Sequence, residues 1–316
     1  MGSFSILETA RSTPERIVTN QDLTKVMDTS DEWIKRRTGI SERHISQAET
    51  NTSMCADVAS QLVSKANVSA DDIDFIIVAT MSSDYQTPSA AAAVQGLLHA
   101  KNAIAFDINA ACSGFAYGIY VLNSLLSNRL NSKGILIGGE QLSKYIDWSD
   151  RSTAVLFGDG AAGILVANDG SRSEVLASNL ETVGELGRSL TAGHLADDKH
   201  RPYFKMDGHE VYRFATQRVP RSIRSAIADT NIELDDVKYF IVHQANERII
   251  KSIANKLDLP MEKFPVNINK YGNTAAASEP LLLSELVDSK QVKRGDNLVL
   301  TGFGGGLTIG TVVIRY

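Results

Sequence analysis

Residues 67–78 read NVSADDIDFIIV and residues 231–242 read NIELDDVKYFIV, so one local pattern is written twice in this chain. In both copies an Asn and a β-branched residue lead, through Asp-Asp, into an apolar run with the length and composition of a buried strand. A plausible helix precedes each run, over Met54 to Ala66 and over Val219 to Thr230. Further echoes follow in the same order. FDIN at 106–109 stands before Cys112 as VNIN at 266–269 stands before Asn273, and GILIGGE at 134–140 resembles NLVLTGF at 297–303. TAVLFGDGAAGILVA at 153–167, read as a hairpin turning at Gly158-Asp159-Gly160, matches the C-terminal LTIGTVVIRY. Four matches in one order point to a duplication. Strands alternating with helices make each half an α/β layered unit. We expect halves at 1–170 and 171–316, with a polar, turn-rich seam near 168–180. The Gly-, His- and Asp-rich stretch 182–209 is expected to be a long functional loop.

Composition narrows the function. A formal net charge of -5 gives no reason to expect a nucleic-acid binder, and no apolar window reaches the length of a membrane span. The N-terminus lacks the basic start and apolar run of a signal peptide, and Ile6 breaks the myristoylation pattern that Gly2 begins. Two cysteines without paired spacing or a His cluster argue against a disulfide framework or a metal site. The natural reading is a cytoplasmic protein in a reducing compartment.

Cys112 closes an apolar run and opens a stretch in which Phe115, Ile119, Leu122 and Leu126 share one helical face. Strand, tight turn and helix N-terminus together expose a nucleophile to free N–H groups, which would stabilise its thiolate. Cys55, inside the helical pattern TSMCADVASQLV, reads as packing. His243 ends the second-copy strand at the place of Ala79, so a polar residue occurs there in one copy only. Asn273 follows Gly272, either as a turn-and-cap residue or as a donor aimed at the same pocket as Cys112. GFGGG at 302–306 can crowd a substrate and present backbone N–H groups. Together a thiol, a His, an Asn and a glycine turn at strand ends suit acyl transfer.

Six segments resemble β-ketoacyl-acyl carrier protein synthase III: TSDEWIKRRTGISERH at 29–44, AACSGF around Cys112, DRSTAVLFGDGAAG at 150–163, VHQANERI around His243, KYGNTAAAS around Asn273 and GFGGGLTIG at 302–310. The resemblance implies a thiolase-like α/β fold of two duplicated βαβαβαββ halves, layered α-β-α-β-α. It implies catalytic Cys112, His243 and Asn273, with the Cys112 and Gly305 amides as oxyanion hole. Acyl-CoA would meet Trp33, Arg37, Arg151, Gly208 and Asn246. The partner malonyl-acyl carrier protein would dock on Gln244, Ala245, Asn246, Glu247, Arg248, Arg213 and Lys256. These lie among the basic residues Arg213, Arg218, Arg221, Arg224, Arg248, Lys251 and Lys256, which could otherwise be a solvated face. No cofactor or metal is implied, acyl-CoA and the malonyl carrier protein being substrates, and the chain would form a homodimer.

The chain departs from the pattern at Glu8, where a Gly-rich strand start is usual, and at Ile309, where Trp is common. Thr87 stands where Phe is frequent, at an acyl-pocket floor supplied by the dimer partner, which would admit a longer or branched primer. Competing readings are a simple acyltransferase or starter-unit synthase of a specialised pathway, and a non-catalytic heterodimer partner. His243 with Asn273 argues against simple acyl transfer, and Cys112 against a non-catalytic partner.

Overall fold

The structure, a computed structural model, describes residues 4–170, 174–193 and 203–316. The first sheet uses β1 (Ser5–Ser12), β2 (Phe75–Ala79), β3 (Ile104–Ile108), β4 (Lys133–Glu140) and β5 (Gly160–Ala167), in the order β1-β5-β4-β2-β3. The second uses β6 (Val175–Thr182), β7 (Val237–Val242), β8 (Asn297–Gly304) and β9 (Thr308–Arg315), in the order β6-β9-β8-β7. In each, two neighbouring strands run parallel (β2 with β4, β7 with β8) and the last two pair antiparallel (β4 with β5, β8 with β9). The helices are α1 (Asp31–Thr38), α2 (Asn51–Ala66), α3 (Ala90–Leu98), α4 (Gly114–Leu126), α5 (Gly208–Ala228), α6 (Glu247–Leu257) and α7 (Ser278–Asp288). This is the thiolase fold.

Five layers follow from where the apolar residues lie. α4 and α7 are sandwiched between the sheets, burying Phe115, Ile119, Leu122, Leu282, Leu283 and Leu286 against strands of both. Such helices must be apolar nearly all round. α2 and α3 cover the outer face of the first sheet with Met54, Val58, Leu62 and Val94. α5 and α6 cover the second, with Phe214, Ile223, Ile250 and Ile253 inward. Local signals set the helix ends. Thr50 caps α2 with Ser53 in a capping box, and Asn67 ends it in the left-handed region. Asn246 caps α6, and Asp258 ends it at φ 60°.

The duplication is real, but three alignments shift. The counterpart of the Cys112 turn is the Ala276 turn. Short 3-10 helices at Ala111–Ser113 and Ala275–Ala277 precede α4 and α7, and Ala111 and Ala275 share positive φ values of 45° and 43°. In both, an Asn side-chain oxygen accepts from the N–H two residues on: Asn109 from Ala111 at 3.2 Å, Asn273 from Ala275 at 2.9 Å. Asn273 is thus the mate of Asn109, and VNIN is no strand: Ile268–Tyr271 is a short helix. The second half therefore shows no partner for β3 among the described residues. The ladders pair Val242 with Thr301 as they pair Ala79 with Gly138, which sets His243 opposite Thr80 rather than Ala79. Gly158-Asp159-Gly160 makes no hairpin. Residues Arg151–Ala154 are helical, and β5 finds its partners in β4 and β1.

The expected excursion 182–209 carries a 3-10 helix, Gly184–Ser189, and a two-residue ladder between Leu190–Thr191 and Lys205–Met206. Part of it and part of the seam lie outside the described residues.

Candidate active site

Cys112 sits on the turn between β3 and α4, only 6% exposed. The turn is pinned from the second half. Ser113 Oγ lies 2.8 Å from Ala110 O and 2.5 Å from Thr308 Oγ1, and Thr308 Oγ1 donates to Gly305 O at 3.0 Å. The glycine run closes over the thiol. A methyl group on Gly304 would come within 2.7 Å of Cys112 Cβ and 2.8 Å of Sγ, so only glycine allows this approach. Gly304→Ala should displace the turn and slow acyl transfer about 10- to 100-fold. Timing acyl-CoA consumption, with circular dichroism to check folding, tests this; an unchanged rate would show that the crossing does not position the thiol.

Burial above all, then the carboxylates of Glu140 and Glu279, pushes the Cys112 thiol far above its ordinary pKa. The N–H groups of Cys112 and Gly305 pull the other way but do not prevail. The same two amides point at sulfur, where an oxyanion would develop next to it.

His243 follows β7 and is 1% exposed, its ring edge-on to Phe303 with centroids 5.2 Å apart. Burial lowers its pKa to about 3, so the ring is neutral in ordinary buffers. Nδ1 lies 2.6 Å from Ser278 Oγ, which leaves Nε2 free for the cavity. Asn273 is clamped by its backbone, its N–H donating to Leu156 O at 2.8 Å and its carbonyl accepting from Gly158 N at 3.0 Å. With Oδ1 committed to Ala275, its Nδ2 hydrogens are available as donors.

These residues line one cavity of about 1090 Å³. Its buried end holds Cys112, His243, Asn273 and Gly304, with Gly305 half-buried and Gly306 exposed. Trp33, Arg37, Arg151, Gly208 and Asn246 line its more exposed part. The guanidinium carbons of Arg37 and Arg151 stand 4.7 and 5.2 Å from the Trp33 ring centroid. Asn246 ties two walls together: Nδ2 donates to Arg37 O while Oδ1 caps α6 at Arg248 N.

Comparison with known proteins decides what this arrangement belongs to. Residues 106–184 match the family described as 3-Oxoacyl-[acyl-carrier-protein (ACP)] synthase III, and residues 227–316 match its C-terminal family. The Beta-ketoacyl-[acyl-carrier-protein] synthase III of Lactobacillus helveticus is 53% identical over 322 residues, covering 99% of this chain and 98% of the relative. That of Levilactobacillus brevis is 53% identical over 326 residues, covering 99% of both. The crystal structure of 3-oxoacyl-[acyl-carrier-protein] synthase III from Aquifex aeolicus superposes with a TM-score of 0.94 at 42% identity, covering 99% of this chain and 100% of the other. The chain belongs to the β-ketoacyl-[acyl-carrier-protein] synthase III family. It is an acyltransferase, a condensing enzyme of fatty-acid synthesis; the specialised-pathway alternative is not favoured.

Around this synthase III cavity the other expected residues divide. Ala245 lines it, and Glu247 pairs with Lys251 at 2.6 Å on α6. Gln244 needs correction as a docking residue. It is buried, donating to Val242 O at 2.7 Å and accepting from Asn267 N at 3.1 Å, so its amide is spent inside the fold. Of the basic cluster, Arg213, Arg218 and Lys251 are paired with Glu210, Glu181 and Glu247. Arg221, Arg224, Arg248 and Lys256 are exposed, with no carboxylate in ion-pair reach among the described residues. Thr87 is exposed and lies outside the cavity, although Met81 and Ser83 to Gln86 of the same segment line it. Cys55 is buried against Asn51 and is not among the residues that line the cavity.

Sequence reasoning missed Ser278, Phe303 and the wall made by Leu190, Ala192 and Phe204, where Phe204 stacks on Phe157 at 4.1 Å. Ser278 closes the KYGNTAAAS motif and Phe303 lies inside the glycine run, so both were in view without a signal of what they touch. Among the described residues no cluster of potential metal ligands occurs and no helix is long and apolar enough to cross a membrane.

Proposed function

We propose that this chain condenses an acyl-CoA primer with malonyl-acyl carrier protein, using Cys112, His243 and Asn273 in sequence. The observation that carries this reading is a single cavity holding a thiol between two amides, two neutral donors, and a cationic aromatic mouth. Cys112 attacks the acyl thioester as its proton passes to the departing CoA thiol, and the Cys112 and Gly305 N–H groups hold the tetrahedral oxyanion. The malonyl thioester then loses CO2. His243 Nε2–H and Asn273 Nδ2–H carry the enolate oxygen, which requires donors rather than a strong base. The carbanion attacks the Cys112 thioester, sulfur leaves and takes up a proton, and a 3-oxoacyl-carrier protein forms. A flat indole between guanidinium groups suits the CoA purine, and Arg37 its phosphate. An acidic carrier protein would meet the unpaired Arg248, Arg221, Arg224 and Lys256, with Arg213 at the rim.

The partner copy enters through the free edge of β3. Among the described residues this strand pairs only with β2, and Ile104 is 51% exposed, an edge that a second chain can continue. Asp107 of β3 accepts from Ala90 N and Ala91 N at 2.8 Å, which ties the Thr87 segment to that edge. A partner's Thr87 would then floor the acyl pocket and widen it. Two free thiols fit a cytoplasmic setting.

Intact-protein mass after brief exposure to acetyl- through octanoyl-CoA, followed by malonyl-carrier protein, tests the whole reading. We expect one acyl adduct per chain with acyl-CoA alone, then its conversion to 3-oxoacyl-carrier protein with release of CO2. No adduct with any acyl-CoA would defeat it. Loading of acetyl alone would remove the wide-pocket role of Thr87.

A further inference from the structure

Glu279, the second residue of α7, is fully buried in the centre of the molecule. Its Oε2 lies 3.3 Å from Ser278 Oγ, and its Oε1 has no hydrogen-bond partner. That same Ser278 hydroxyl sits 2.6 Å from His243 Nδ1 and accepts from Gln244 N at 3.2 Å. Oε1 borders Gly302, which also abuts the Cys112 carbonyl. A buried carboxyl with no cation beside it has no architectural rationale that a leucine would not serve better.

We propose that Glu279 is a positioning residue: through the Ser278 hydroxyl its carboxyl decides which ring nitrogen of His243 carries the proton, and so whether His243 offers the reacting thioester a donor. The proposal rests on the reading of His243 as an enolate donor.

The hydroxyl has one proton and two acceptor sites, one of which Gln244 N–H occupies. When Glu279 is protonated its O–H donates to Ser278, Ser278 donates to His243 Nδ1, and Nε2 bears the hydrogen that faces the cavity. When Glu279 is ionised, Ser278 turns its proton to the carboxylate. His243 must then donate from Nδ1, and Nε2 becomes an acceptor that repels an enolate. Every bond is satisfied in both states, so the relay has two settings. A neighbouring group that fixes an imidazole tautomer by a hydrogen bond is a known physical device.

Burial raises the Glu279 pKa to about 8, which puts the donor setting in the neutral range. The titratable groups around it are His243 itself, neutral down to about pH 3, and Cys112, whose thiol ionises only far above. Glu140, on β4, also presses on Cys112 and is raised to about 8 by burial. Among the described residues no Lys or Arg stands within ion-pair reach of Glu279.

The test follows malonyl-carrier-protein decarboxylation without acyl-CoA, which needs no thiolate, from pH 6 to 10. The rate of the wild type should fall about tenfold per pH unit above the transition. In Glu279→Gln the amide N–H donates to Ser278 at every pH, and the alkaline limb should vanish. Glu279→Met, which leaves Ser278 free to donate to His243, should lose it too. In parallel, 15N shifts of labelled imidazole, assigned by comparison with His243→Ala, should show Nε2–H changing to Nδ1–H in the wild type and staying Nε2–H in Glu279→Gln. An unchanged limb in both variants would overturn the proposal and hand the titration to Glu140, as would one fixed tautomer across the range. The imidazole spectrum needs no turnover, so it separates failure of this relay from failure of the condensation itself.

Discussion

Cys112→Ala loses acyl loading and condensation by about 10⁴-fold or more, yet still decarboxylates malonyl-carrier protein. The split follows from the layout. On the proposed mechanism sulfur is the atom that becomes bonded to substrate, and among the described residues that line the cavity no other thiol can replace it. Cys55 is buried against Asn51 and does not line the cavity. The enolate donors stand on other turns, after β7 and before α7, so removing sulfur leaves them in place. The substitution should cost stability about 1 kcal/mol or less, since a single buried sulfur is lost and the turn keeps its Ser113–Thr308 tie. The measurements are intact mass after acyl-CoA exposure, CO2 release from malonyl-carrier protein, and a denaturation midpoint. Acyl loading of the variant would mean that the nucleophile is elsewhere. Loss of CO2 release along with loading would mean that the thiol is needed to form the enolate.

Much of this was legible before any coordinates. The echo of NVSADDIDFIIV in NIELDDVKYFIV announced two sheets, because a buried parallel strand is an unbroken apolar run and such runs survive as sequence. Cys112, His243 and Asn273 were singled out at the ends of expected strands, and the fold gathers them around one cavity although a short helix, not a strand, precedes Asn273. The failures have physical causes. VNIN resembles FDIN in letters, but the true repeat lies in backbone shape: an Asn capping a left-handed Ala, which leaves no hydrophobic trace. Gln244 sits in a docking motif yet points inward, because a side chain's direction at a strand exit depends on the neighbouring turn at Asn267. At Cys112 the sequence shows the helix terminus that favours a thiolate, whereas burial of the thiol, then Glu140 and Glu279, both distant in sequence, oppose it. The depth at which a side chain ends up is what a linear reading does not see.

His243→Ala and Asn273→Ala should each lower decarboxylation about 10²- to 10³-fold while acyl loading of Cys112 stays within a few-fold of the wild type. Each supplies one preorganised donor to an oxygen that is weakly basic in the thioester and strongly basic in the enolate, so the loss falls on the transition state. Their rigidity makes the estimate large. Asn273 is held by two backbone hydrogen bonds to the 156–158 segment, and His243 by Ser278 and the edge of Phe303, so neither must reorganise as charge develops. The double variant should be little worse than either single one, because two donors on one oxygen act as a unit and removing one already lets water compete. On the proposed mechanism acyl loading uses a different set of donors, the Cys112 and Gly305 amides that point at sulfur, and so it should be spared. Rates of CO2 release and of acyl-enzyme formation, measured separately by single turnover, check this. If both half-reactions fell together in either variant, His243 and Asn273 would be serving the thiol, and the division of the cavity into two oxyanion sites would be wrong.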